Sequence, residues 1–500
     1  MKKRSLKALC LLLLTATLLP CILLTACGQA EEKPSSGNTV DTAAAAAETT
    51  GETEPEILKP DLPNKDWGGE QLYVLGRTSD RWQFVSFEIY AEAETGEVVN
   101  DAVYRRNRTI EEKYNVTIAQ DQQTDPAGTL TKTISAGDDV YDVALLVQNT
   151  ITPLAQSNRL MDLNSLEYID FEKPWWHQEL NERVSINHKL YFTTSDFMLM
   201  DKQRTSVIFF NRSMAEDFNL GNLFDIVREG KWTIDTMASM SKVVARDVDG
   251  NGKFDQYDQY GMGMERYNFC VLVYSCDNTI TVKDENDIPI LGMNTPRTVS
   301  TIDKLVTFCS DQTLSFFCED YNGKYDGDFW GMGSDLFLDS RLLFVSSFPQ
   351  TLRKYSAEAT FDYGALPFPK LDEAQEEYHT LTAQAMLITV PVTNAKPDFA
   401  GFMLEALSAE AKYTSLPAYI ETSCKTKYMY DEDSAEMLDL TFDGIIYDLG
   451  MLYNVGGLYT LIATTIPQAR QNTFSSGYAA AESKAQSELD KIIAAYLEIQ

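Results

Sequence analysis

From Trp67 onward, short apolar runs suited to buried strands alternate with stretches of helical period. Gln71–Leu75 is the first such run. Asn100 and Asp101 offer an N-cap, and Val103, Ile110 and Tyr114 follow at helical spacing with charges between them. Val116 and Ile118 alternate as in a strand, and Tyr141–Val147 is a continuous apolar strand candidate. A parallel strand needs a crossover, normally a helix, so this order predicts an α/β chain whose sheets are mainly parallel and helix-covered. A second set repeats the plan. Lys189–Phe192 and Ser206–Phe210 read as strands, and Met214–Phe218 as a helix. Arg341–Val345, Gly364–Pro369 and Met386–Val390 read as strands, Phe399–Leu407 and Leu489–Leu497 as amphipathic helices. With 500 residues, two α/β lobes are the economical architecture.

The N-terminus reads as an address. Met1–Arg4 and Lys7 are basic, and an apolar run extends from Ala8 to Ala26. Leu24-Thr25-Ala26-Cys27 resembles a bacterial lipobox, so residues 1–26 are expected to be a lipoprotein signal peptide and Cys27 the lipidated residue. A retained membrane-spanning helix is the alternative. Gly28 to about Lys65 is low in complexity, without aromatic residues or apolar period, and reads as a flexible tether.

Charge narrows the partners. The net charge is −32. Residues 1–26 hold four basic residues and no acidic one, so without them 38 basic residues face 74 acidic ones, a balance of −36. That argues against nucleic acid and against capture by an anionic membrane surface. A neutral ligand is the easiest to reconcile with it. Beyond the leader stand Cys270, Cys276, Cys309, Cys318 and Cys424. Their spacing fits no metal or redox motif. Buried free thiols compete with a Cys270–Cys276 or Cys309–Cys318 bridge.

In open α/β sheets ligands bind beyond the carboxyl ends of strands, which points to Gly76–Trp82 and to Gln148 and Asn149. Trp82, Trp175, Trp176 and Trp330 sit among polar residues, as rings that meet the apolar faces of sugars would. Trp67 and Trp232 are expected to pack. The three histidines, His177, His188 and His379, form no HExxH motif, and neither a nucleophile elbow nor a P-loop appears, so no catalytic residue is assigned.

One loop has metal-ligand spacing. Counting Asp247 as position one, side-chain oxygens fall at positions 1, 3, 5, 9 and 12 through Asp247, Asp249, Asn251, Asp255 and Asp258. Gly252 stands at position six, and Lys253 offers its backbone carbonyl at seven. The pattern predicts a structural Ca²⁺ site with an affinity of about 10⁻⁴–10⁻³ M. Asp258, where Glu is usual, weakens bidentate closure, and a solvated acidic turn is the alternative.

From about Trp67 to the end, the chain resembles bacterial extracellular solute-binding proteins of carbohydrate-uptake ABC transporters. The resemblance rests on Trp67–Gly69, Thr95–Tyr104, Lys173–Trp176, Phe210–Arg212, Gly230–Thr233, the Asp247 loop into Gly261, Ala365–Pro369, Asp431–Met437 and Tyr447–Gly450. Arg212, where Lys is usual, and the five cysteines depart from it. The resemblance implies a periplasmic-binding-protein-like fold of two hinged lobes that captures a sugar or oligosaccharide and hands it to permease subunits. Such a chain would be lipid-anchored, through palmitate or a related acyl chain, at the outer face of the cell membrane. It implies a tether over 27–65, lobe one over 66–198 and 388–445, lobe two over 199–387, and a C-terminal helical part over 446–500. Crossovers fall near Tyr191–Phe210 and Ala385–Val390. Trp82, Trp175, Trp176 and Trp330 become candidate stacking platforms, with Tyr267 beside them. Asp80, Gln148, Asn149 and Asp196 become candidate hydroxyl partners. A lipid-anchored carbohydrate-active enzyme and a surface adhesion or scaffold protein are the competing readings.

Overall fold

The computed structural model describes residues 57–78, 85–384, 386–429 and 431–498. The expected leader, Cys27, most of the tether, Asp80 and Trp82 lie outside the described residues.

The first lobe is built on β1 (Glu70–Arg77), β2 (Val116–Gln123), β3 (Val143–Val147) and β11 (Met386–Thr389). Their order is β11-β3-β1-β2, with β1 parallel to both neighbours and β11 antiparallel to β3. The fully apolar β3 lies between β1 and β11, where both faces are buried. The helix Val98–Tyr114 forms the first crossover. Glu97, not Asn100, caps it, accepting from the Asn100 N–H at 2.8 Å. Asp101 instead holds the preceding turn by accepting from the Thr95 and Gly96 N–H groups.

The second lobe carries β4 (Val207–Asn211), β5 (Tyr260–Met264), a hairpin of β6 (Thr281–Lys283) and β7 (Pro289–Leu291), β8 (Ser315–Phe317), β9 (Leu342–Ser347) and β10 (Tyr363–Leu366). The main sheet runs β10-β4-β9-β5-β8 and is mixed: β5 is parallel to β8 and β9, whereas β4 is antiparallel to β9 and β10. β4 enters from the other lobe, so it runs against its neighbours.

Three passages of chain join the lobes side by side. Ser206 N–H donates to Leu381 O and Ala383 N–H to Arg204 O, both at 2.9 Å. On the far side Thr380 N–H donates to Gly444 O at 2.8 Å, and Ile446 N–H to Thr380 O at 3.0 Å. Lys189–Phe192 is not a strand. It is flanked by isolated bridges, Ile186 with Lys189 and Thr193 with Ile388 of β11, the second of which touches the edge of the first sheet without extending into a ladder.

Residues 57–65, the end of the expected tether, make contacts with the folded part. Leu62 packs on the core, Asp61 pairs with Lys173 at 2.7 Å, and the Leu58 N–H donates to the Tyr413 hydroxyl at 3.0 Å. All five cysteines are buried free thiols. Burial pushes the Cys276, Cys309 and Cys424 thiols up to about 12, which suppresses thiolate chemistry. Among the described residues no helix is long and apolar enough to cross a membrane.

Candidate functional site

The carboxyl ends of β3, β5 and β9 face each other across a cleft of about 410 Å³ between the lobes. That volume suits a small organic ligand. On one wall the helix Gln148–Gln156 starts directly after β3, with no side-chain cap at Val147. Gln148 and Asn149 therefore stand at an open helix start and line the cleft. The opposite wall follows β5. Glu265 and Arg266 lead into the helix Tyr267–Ser275, also without a side-chain cap, and the Glu265 N–H is held by the Asn268 carbonyl at 2.8 Å. Phe348, directly after β9, completes this wall.

The floor comes from the junction and from the C-terminal part. Arg204 and Gln384 stand on neighbouring passages. Asn454, with φ of 47°, holds the Thr460 N–H and hydroxyl through its side-chain amide, which fixes Tyr459 and Thr460 beside the cleft. Gly456 makes this turn feasible. Its φ is 64°, and a Cβ there would lie 2.5 Å from the Ala485 Cβ of the helix Phe474–Glu498.

Polar groups in the cleft are left without partners. The Gln148 carbonyl is buried and unpaired among the described residues. The Tyr267 hydroxyl is buried beside Ser206 without a hydrogen bond of normal geometry. Burial pushes the Glu265 carboxyl up to about 7, Glu319 and Asp328 push it the same way, and Arg204 opposes them. The Arg204 guanidinium lies 4.1 Å from the centre of the Phe348 ring, a cation–π contact, and burial holds its pKa below the usual value. A smaller recess of about 30 Å³ adjoins the cleft, sharing Glu265 and Phe348 and adding Trp330, Ser346 and Cys318.

Of the residues expected from sequence, Gln148, Asn149 and Tyr267 line the cleft, and Trp330, a residue 48% exposed, lines the recess. Trp175 and Trp176 do not stack on anything in the cleft. Both are buried in the first lobe, and their indole N–H groups donate to the two oxygens of buried Glu405, at 3.2 and 2.8 Å. Neither ring lines the cleft. Asp196 is also elsewhere. It lines a separate cavity of about 470 Å³ with Trp176 and pairs with Lys412 at 3.3 Å. Trp232 packs as expected, its N–H on Pro367 O at 2.9 Å, and Trp67 packs edge-on against Phe399 and Phe402.

Sequence reasoning did not find Arg204, Glu265, Phe348, Gln384 or Tyr459. Phe348 was within reach, because it follows a recognised strand. Glu265 was not, because Tyr260–Met264 carries two glycines and little β-branched character.

In the acidic loop, carboxylate oxygens of Asp247, Asp249 and Asp258 lie within 4.8 Å of one another. Asp258 is buried and also accepts from the Val248 and Asp255 N–H groups, each at 2.8 Å. Gly252 takes φ of 77° at the expected sharp turn. Asn251 and Asp255 accept from the Lys253 and Tyr257 N–H groups. These three carboxylates lie close enough together to hold one metal ion.

No family model and no curated protein matches the sequence. Solved structures share the fold. The chain is similar to the ABC substrate-binding protein Lmo0181 from Listeria monocytogenes in complex with cycloalternan, at 12% identity and a TM-score of 0.54, covering 84% of this chain and 99% of that one. It is similar to a sugar transporter from Rhizobium etli in an open conformation, at 14% identity and a TM-score of 0.55, covering 86% and 100%. A cyclo/maltodextrin-binding protein complexed with maltotetraose is similar at 13% identity and a TM-score of 0.55, covering 86% and 98%. At these identities the likeness shows the two-lobe α/β fold.

Proposed function

We propose that this chain is the solute-capturing subunit of an ABC importer, that it binds a sugar or oligosaccharide between its lobes, and that it passes the ligand unchanged to a membrane permease. The observation that carries this reading is the cleft itself. Both lobes line it, and it combines aromatic rings with buried polar groups that lack partners. Hydroxyl groups would satisfy those polar groups, and sugar C–H faces would lie against the rings. The similarity in fold to proteins bound to cycloalternan and maltotetraose supports a carbohydrate ligand.

Ligand favours closure because only the closed form lets both walls touch it. Calorimetry over an oligosaccharide panel, with small-angle scattering on each hit, tests this. Binding with compaction and without product release is the expected result. Release of shortened sugars would instead make the chain a carbohydrate-active enzyme.

In this reading Cys27 carries the lipid that holds the chain at the outer membrane face, and Cys27→Ser should move it from the membrane fraction to the medium. The loop of Asp247, Asp249, Asn251, Lys253, Asp255 and Asp258 holds a structural Ca²⁺. Chelation should lower the melting temperature and calcium should restore it, whereas no change on either step would leave the loop a plain acidic turn.

A further inference from the structure

The recess of about 30 Å³ beside the cleft has room for a water-sized group or two but not for a sugar ring. It is sized for one substituent of a ligand whose body lies in the larger space. Its lining favours one sign of charge. Among the described residues the Glu265 carboxylate has no hydrogen-bond donor, since Asn268 engages only its backbone N–H. Two further carboxylates act on Glu265, and both have their own bonds. Glu319 accepts from the Arg266 N–H with both oxygens, and Asp328 accepts from the Trp330 N–H at 3.2 Å. The Arg266 side chain is paired with Asp320 at 2.7 Å. Arg204 is the opposing charge, stacked on Phe348. Glu265 is the one charged side chain in the lining of the recess, so when ionised it makes the recess negative. The Ser346 hydroxyl is buried in it without a described partner, and the half-exposed Trp330 forms its aromatic wall.

We propose that this recess is a subsite for one cationic substituent, the ammonium of an aminated sugar, with Glu265 as its acceptor and Trp330 as the ring beside it. The inference rests on the sugar-capture reading. An ammonium group offers N–H donors to Glu265 and Ser346 and a positive charge to the indole. A hydroxyl would leave the negative field unbalanced, and an acidic group would be repelled.

The test uses the full chain and matched ligands: chitosan oligomers with free amines, N-acetylated chito-oligomers of the same length, and neutral malto-oligomers. Calorimetry should show the free-amine form bound roughly tenfold tighter or more. Glu265→Gln should abolish the ratio between amine and neutral oligomers, whatever it does to the affinity for each, and Trp330→Ala should weaken the amine ligand most. The preference should grow as pH rises and Glu265 gains charge, up to the pH at which the sugar amine, less basic than a lysine amine, gives up its own proton. In Glu265→Gln this pH dependence should vanish, a readout that a purely structural role would not move. Melting curves establish that both variants are folded. If neutral or acetylated oligomers bind as well as the amine form, the subsite is refuted and sugar capture stands. If no oligomer of any kind binds, sugar capture itself fails.

Discussion

Asp448 and the cleft use the same kinds of polar groups in opposite ways. Asp448 is buried and accepts from the Tyr274 hydroxyl, the Ile280 N–H, both the N–H and hydroxyl of Thr281, and the Gly450 N–H. Every donor around it is matched. In the cleft and its recess the Gln148 carbonyl and the Ser346 hydroxyl have no described partner, and the Glu265 carboxylate has no described donor. Native proteins leave few buried polar groups unpaired, and those of them that face a cavity are open to bonds from outside the chain. Where polar groups are matched they contribute to stability, and where they are left open they are available for binding.

The contrast breaks if removing a matched group costs no more than removing an open one. Asp448→Ala strands several buried donors and should cost about 4 kcal/mol or more in urea denaturation. A loss under about 1 kcal/mol would remove the distinction. Glu405→Ala leaves two indole N–H groups without acceptors and should cost about 2–4 kcal/mol. If this variant retains its ligand affinity, Trp175 and Trp176 are structural in solution as well.

Glu88 sharpens the contrast, because it is unpaired yet lines neither the cleft nor the recess. Its two oxygens are buried without partners, and burial pushes its carboxyl up to about 8, with Asp201 adding to the effect. It avoids an unpaired charge by staying protonated. Because the folded-state pKa lies above the unfolded one, this group contributes stability at low pH that is lost as pH climbs toward about 8. Glu179, pushed up to about 7, acts in the same sense. Buried His177, pulled down to about 3, acts oppositely, adding stability as pH rises through about 6.5. Between about pH 6.5 and pH 8 the carboxyl groups dominate, and stability should fall by roughly 1–2 kcal/mol. Glu88→Gln should flatten that decline in melts across the range.

The smallest stability effect belongs to the open groups. Ser346→Ala should change stability by less than about 0.5 kcal/mol, because no bond is lost. A larger loss would mean that the hydroxyl already has a partner inside the fold.

The sequence made the scaffold legible because burial imposes period. The apolar runs at Gln71–Leu75, Tyr141–Val147, Ser206–Phe210 and Met386–Val390 all fall in strands, within a residue or two at the ends. Several stretches behind the family resemblance also do local work that sequence can signal. Asn211, Thr233 and Asp431 cap helices through the Met214, Thr236 and Ser434 N–H groups. Such stretches report the fold, and for that reason they said little about the ligand. Trp175 and Trp176 illustrate this. Polar neighbours suggested exposed rings, but the partner that buries them, Glu405, lies 229 residues from Trp176 along the chain. Arg204, Gln384 and Tyr459 come together only through the junction and the C-terminal turn, and local pattern does not reach that far.

The junction also constrains how the two halves can travel. Its three passages lie edge to edge as a strap, wide in one direction and one chain thick in the other. A strap flexes across its thickness and resists torsion, so relative movement is steered along a single arc. Arg204 and Gln384 stand on the strap itself. In the proposed closure they would stay near the pivot while Gln148 and Glu265 approach each other, which would make this pair the reference against which a guest is aligned.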